Sequence, residues 1–317
     1  MKSRFAWYAW GVLVVNILVI LWGALVRATG SGAGCGAHWP RCNGDIIPIA
    51  PSLATIIEFA HRASSGVALL AVAGLLVWAF RAFPARHRVR RAALASMLFI
   101  LLEALIGAAL VLLRLVAHNT SLERGFSGGL HLVNSLLLLA ALVLTAWYAS
   151  GGVELRLHNQ GLLPWLFGAG LVGALFLGAS GAIAALGDTL FPVGSLAEGL
   201  QQDFSGTAHL FVQLRVFHPI IAVAVGAYSV ALGWFAANQR PSRATRSIAL
   251  ALTALFGLQF VAGLVTIVLL APVAMQLVHL LLADLVWISM VLGATITLAT
   301  SPAQVVERAP VQPHYSG

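Results

Sequence analysis

The chain has 317 residues, of which 60% are hydrophobic and only 9% charged, and its formal net charge is +8. A soluble protein of this length needs far more polar surface, so the composition excludes a soluble domain and describes an integral membrane protein. The basic residues sit in short segments between apolar runs, where they set membrane orientation, and no nucleic-acid partner is expected.

In chain order the apolar runs predict eight membrane-spanning helices, at about 7–26, 56–80, 93–116, 127–149, 163–186, 210–236, 246–270 and 274–299. The first run is long enough to cross a hydrocarbon core, which favours a retained helix over a cleaved signal peptide. Lys2 and Arg4, the arginines at 81, 86, 88, 90 and 91, and those at 240, 243 and 246 fall on one face, expected to be cytoplasmic with both termini. The expected location is therefore a cell (inner) membrane, with loops 28–55 and 187–209 on the outer side. Residues 301–317 read as a flexible tail.

The two halves repeat. Glu58-Phe-Ala-His61 answers Arg215-Val-Phe-His218 at an offset of 157 residues, and Glu103 with Gly107 answers Gln259 with Gly263 at 156. His131-Leu answers His279-Leu at 148, as a shorter second-half loop would produce. The fold class follows: an all-α membrane protein whose eight helices form two pseudo-symmetric four-helix bundles as a parallel repeat, 1–155 and 156–300.

Four histidines, His61, His131, His218 and His279, stand near the starts of the even-numbered helices, in a layer beneath the outer surface. Imidazoles inside a membrane are costly and mark function. Two pairs with apolar walls suit two haem irons; zinc or copper would want further ligands that the sequence does not cluster. The remaining histidines, at 38, 87, 118, 158, 209 and 314, fall in loops or at helix edges and are expected to be mostly solvated, with His38, between the cysteines, the one to test.

Glu58 lies three residues before His61, on the same helical face. It reads either as a proton acceptor beside a ligand or as the partner of Arg62. Its counterpart Arg215 cannot be a base but suits a haem propionate. Glu103 and Asp284 are expected to serve packing or hydrogen bonding. Cys35 and Cys42 share the first outer loop, where a disulfide is the default, with structural and redox-active purposes both open.

The run Gly23-Ala-Leu-Val-Arg27-Ala-Thr-Gly30-Ser-Gly32, leading into Cys35, His38-Trp-Pro-Arg-Cys42 and Glu58-Phe-Ala-His61-Arg62, resembles the haem A synthase family, and the likeness covers nearly the whole chain. The resemblance implies a membrane oxidoreductase that converts the C8 methyl of haem O to the formyl group of haem A. It assigns His61 and His131 to the substrate haem, Glu58 to catalysis, and His218 and His279 to a bound haem b. The expected partners are haem O, the haem O synthase that supplies it, membrane lipid, a thiol or quinol donor and a second copy of the chain. One departure is that 187–209 lacks the second cysteine pair some members carry. A bis-histidine cytochrome that only passes electrons, and a transporter with a histidine-lined proton path, are the rival classes.

Overall fold

The computed structural model describes residues 2–299 and is all-helical among them. The tail expected at 301–317 lies outside the described residues. Eight helices are long and apolar enough to cross a membrane, as the sequence predicts.

The first four spans are α1 (Lys2–Ala28), α2 (Leu53–Ala82), α3 (Arg88–Leu112) and α4 (Leu122–Ala149). The starts of α2, α3 and α4 have local causes. Ser52 and Ser121 accept hydrogen bonds from Thr55 N and Arg124 N, starting α2 and α4 with side-chain caps. Helix α3 begins five residues earlier than the apolar pattern predicts, because Arg88–Arg91 are helical too, entering from a His87 cap onto Val89 N. It also stops at Leu112 rather than 116, where Arg114 and Ala117 adopt positive φ of 57° and 53°.

The second four spans contain a correction. Helix α5 (Leu163–Leu190) runs past the predicted end, and the expected loop 187–209 holds a short helix, α6 (Leu196–Asp203). Its signal was present: Ser195 caps Glu198 N while Glu198 Oε2 accepts from Gly194 N, a serine-to-glutamate spacing typical of helix starts. The sixth span is two pieces, α7 (Leu210–Arg215) and α8 (Phe217–Gln239). Pro219 explains the break, since its ring collides with a helical carbonyl four residues back, at Arg215. The helix therefore restarts immediately before His218. Helices α9 (Arg243–Val268), opened by a Ser242–Thr245 capping box, and α10 (Val273–Ala299) complete the chain.

The main core joins α1 to α4 through Phe5, Val72, Leu75, Val89, Leu139 and Leu142, all fully buried, and takes in Trp287, Ile288 and Val291 from α10. Helices α4 and α10 thus lie at the centre of the molecule. Two polar ties cross between the earlier and later spans: Trp287 Nε1 donates to Leu136 O at 2.6 Å. Arg27, at the end of α1, donates to Ala185 O (2.7 Å), Thr189 Oγ1 (2.8 Å) and Gln276 Oε1 (2.8 Å).

Candidate functional site

All four histidines lie near the N-terminal ends of their spans, and each is packed against a glycine of the preceding span. A Cβ on Gly23 would stand 3.0 Å from the His61 ring, and one on Gly181 would stand 2.9 Å from the His218 ring. On Gly263 it would meet His279 at 3.1 Å, while Gly107 faces His131 more loosely at 3.8 Å. At Gly23, Gly181 and Gly263 glycine has a steric purpose, because the helix backbone approaches the imidazole edge too closely for a methyl group to fit without a shift, whereas Gly107 leaves room for one. Gly107 and Gly263 belong to the repeat seen in sequence, whereas the packing role of Gly23 and Gly181 carries no signal in the apolar pattern.

The later pair is directly juxtaposed. The His218 and His279 rings have centroids 6.4 Å apart, at 77° to each other. Two imidazoles on opposite sides of one metal, each bonded at about 2 Å, have centroids about 6 Å apart. Ser180 Oγ lies 3.0 Å from His218 Nδ1, so one nitrogen is engaged and the other is left for a ligand. Gln259 Nε2 lies 3.2 Å from His279 Nε2, while His279 Nδ1 is buried without a hydrogen-bond partner.

In the earlier pair, His61 Nδ1 is likewise buried and unpartnered. His131 Nδ1 sits 3.2 Å from Glu103 Oε1, out of line for a hydrogen bond. Glu103 is fixed by Asn134 Nδ2 at 2.5 Å and by the Ser135 hydroxyl, so it has the hydrogen-bonding role expected of it. Gln259 and Glu103, matched in the repeat, therefore each stand beside the histidine of the following span. Asp284 is fully buried on α10, with both carboxylate oxygens lacking a partner among the described residues.

A buried ring nitrogen without a partner is expensive, and His61 and His279 each have one, while His131 Nδ1 has only the Glu103 carboxylate beside it. The donor set is imidazole, in pairs, between apolar helices. Among the described residues no three histidines, cysteines or carboxylates gather closely enough to hold a bare metal ion. A macrocycle brings its own equatorial donors and asks the protein for two axial nitrogens, so the residues present fit haem.

Glu58 is 3% exposed and fully engaged. Its Oε1 accepts from Arg62 Nε (3.1 Å) and Nη2 (2.5 Å), and its Oε2 accepts from Cys35 N (2.8 Å). Of the two sequence readings, the pairing with Arg62 is observed. Cys35 and Cys42 are bonded to each other. The disulfide loop rests on α2: Thr55 Oγ1 donates to Gly34 O at 2.8 Å, and a Cβ on Gly34 would run into the Ala54 backbone at 2.4 Å.

Arg215 is paired as well. Its Nε donates to Asp203 at 2.5 Å and its Nη1 to Asp188 at 3.1 Å, joining α7 to α6 and α5. Neither aspartate was singled out in sequence. Of the remaining histidines, His87 and His209 are not simply solvated: they cap α3 and α7 and stack on Phe83 and Phe191. His38, His118 and His158 are exposed as expected, and His314 lies outside the described residues.

Residues 6–291 match the family model described as cytochrome oxidase assembly protein. A Bacillus licheniformis protein named heme A synthase is 33% identical over 236 residues, which is 71% of this chain and 73% of that one. The chain belongs to the haem A synthase family. A Geobacillus kaustophilus heme A synthase is 33% identical over 194 residues, 58% of this chain and 59% of that one. A Thermus thermophilus protein named protoheme IX farnesyltransferase is 54% identical over 296 residues, which is 93% of this chain but 49% of the relative. The chain thus spans about half the length of the curated relatives that head the comparison. Within the haem A synthase family, the motif from Gly23 to Arg62 corresponds here to a single packed unit: the end of α1, the disulfide loop and the start of α2.

Proposed function

We propose that this chain is a membrane oxidoreductase that oxidises the C8 methyl group of haem O to the formyl group of haem A through hydroxylated intermediates. The observation that carries this is His61, whose buried Nδ1 lacks a partner and which has the buried Glu58 one turn away, with His131 on α4 as the second imidazole of the earlier spans. In this reading residues 1–155 hold the substrate haem and 156–300 hold haem b between His218 and His279. Haem b, when bound, supplies a one-electron relay. Ser180 and Gln259 orient its two imidazoles, as outer hydrogen-bond partners of metal ligands commonly do. Glu58 accepts the proton lost from the substrate methyl group, and Arg62 holds its carboxylate in place until then. Arg215, tied to two aspartates, retains one terminal nitrogen for a propionate.

The chain works in the cell membrane with both termini cytoplasmic and both haem sites toward the outer face. A thiol or quinol carrier serves as its electron donor. Haem O is protohaem that has gained a farnesyl-derived chain, so a farnesyl transfer must come first. The long Thermus relatives, named for that transfer, support a supplier working beside this chain, as a haem O synthase would.

A second reading has an observation in its favour. Both Glu58 oxygens are already occupied, which suits a structural carboxylate in a bis-histidine cytochrome that only passes electrons. Expressing the chain in cells that make haem O, then extracting and chromatographing the haems, decides between them. Haem A is the expected product; a protein that binds haem yet yields none is the electron carrier. A preparation with no Soret band, even after haem is added, removes both readings.

A further inference from the structure

Arg62 reaches in two directions. Toward α2 it holds Glu58 Oε1; toward the loop its Nη1 donates to His38 O at 2.6 Å and Arg41 O at 2.8 Å. Both carbonyls lie between Cys35 and Cys42, inside the ring the disulfide closes. Glu58 Oε2 meets the same ring from the other end, at Cys35 N. One guanidinium and one carboxylate, side by side on one helical turn, thus grip three backbone groups of a covalently closed loop.

We propose that Arg62 is a positioning residue that couples the redox state of the Cys35–Cys42 pair to the placement of the Glu58 carboxylate. The argument is thermodynamic linkage. The three gripped groups are presented together because the disulfide confines residues 35–42, and opening it releases that confinement. Contacts that favour the closed loop must then weaken on reduction, and reciprocity requires that removing them make reduction easier by the same factor. The reducing step is ordinary exchange. A thiolate of a dithiol donor attacks one sulfur of the pair, and the donor's second thiol resolves the mixed disulfide. Two electrons and two protons pass to Cys35 and Cys42, and the donor leaves as its own disulfide. Reduction thereby frees Glu58 from Cys35 N and frees Arg62 from two carbonyls, loosening the carboxylate beside His61. The functional meaning rests on the reading of Glu58 as a base, but the coupling itself is measurable without haem or turnover.

The test equilibrates the purified full chain in a graded series of dithiothreitol and its oxidised form, and counts free thiols by maleimide mass shift. Arg62→Gln is expected to raise the equilibrium constant for reduction about tenfold, the worth of one charge-assisted hydrogen bond. Arg62→Lys, which keeps the charge but not the fork, is expected between wild type and Arg62→Gln. Arg41→Ala is expected to titrate with wild type, because only the backbone carbonyl of Arg41 is used. A reduced-minus-oxidised infrared difference spectrum is expected to carry a carboxylate band that disappears in Glu58→Gln. Arg62→Gln or Arg62→Lys titrating with wild type, Arg41→Ala shifting as far as Arg62→Gln, or no Glu58 band would each overturn the coupling. A redox shift in a chain that makes no haem A would instead leave the coupling standing and remove the catalytic reading.

Discussion

A carboxylate that accepts three hydrogen bonds, two of them from a guanidinium, is held in one place, and its oxygens are open to a new partner only after an old one has moved. Glu58 is such a group. Glu58→Gln keeps the shape and removes the basicity, so it is expected to retain haem binding by absorption while haem A yield falls about a hundredfold or more. Full haem A production by that variant would take Glu58 out of the chemistry. The glycines make a second prediction at this scale. Gly181→Ala drives a methyl to 2.9 Å from the His218 ring and is expected to weaken haem retention and cost about 1–3 kcal/mol in thermal unfolding. Gly66→Ala meets nothing within 4 Å and serves as the control for helix propensity alone.

At the scale of the helix, each pair draws its rings from two even-numbered spans, and the preceding odd span supplies the glycine that seats each ring. His218→Ala is expected to abolish a tightly held haem spectrum, whereas His61→Ala is expected to leave that spectrum and abolish the binding of added haem O. The opposite outcome would exchange the two assignments. Apolar length made the eight spans legible, because no other periodicity competes with twenty consecutive lipid-compatible residues. Boundaries were less legible where polar residues are helical, as at Arg88–Arg91, and where a short amphipathic helix hides in a loop, as at Leu196–Asp203. The break before His218 was readable from Pro219 but was masked by the unbroken apolar run around it. The histidines stood out because they are costly in a membrane. Ser180, Asp188 and Asp203 did not, since what they touch depends on helix rotation, which a sequence does not fix.

For the whole molecule, the ties between the earlier and later spans decide how rigid the assembly is. Arg27 contacts α5 and α10 through three hydrogen bonds, and Trp287 joins α10 to the middle of α4. Arg27→Gln is expected to lower stability by about 1–3 kcal/mol, measured by thermal unfolding in detergent, because Thr189, Gln276 and a backbone carbonyl lose a charged donor together. An unchanged midpoint would mean that water replaces the guanidinium without cost. These fastenings bear directly on the transporter class that the repeat also suggested. Carriers built from two repeats work by alternating access, one repeat swinging against the other to open first one side and then the other. Here each swing would tear the Trp287 indole N–H from its acceptor in the middle of α4, where no water replaces it, and the Arg27 guanidinium from three acceptors at the end of α1. A molecule tied between α4 and α10, and again from the end of α1, is suited to keeping its earlier and later spans in fixed register, and poorly suited to pumping.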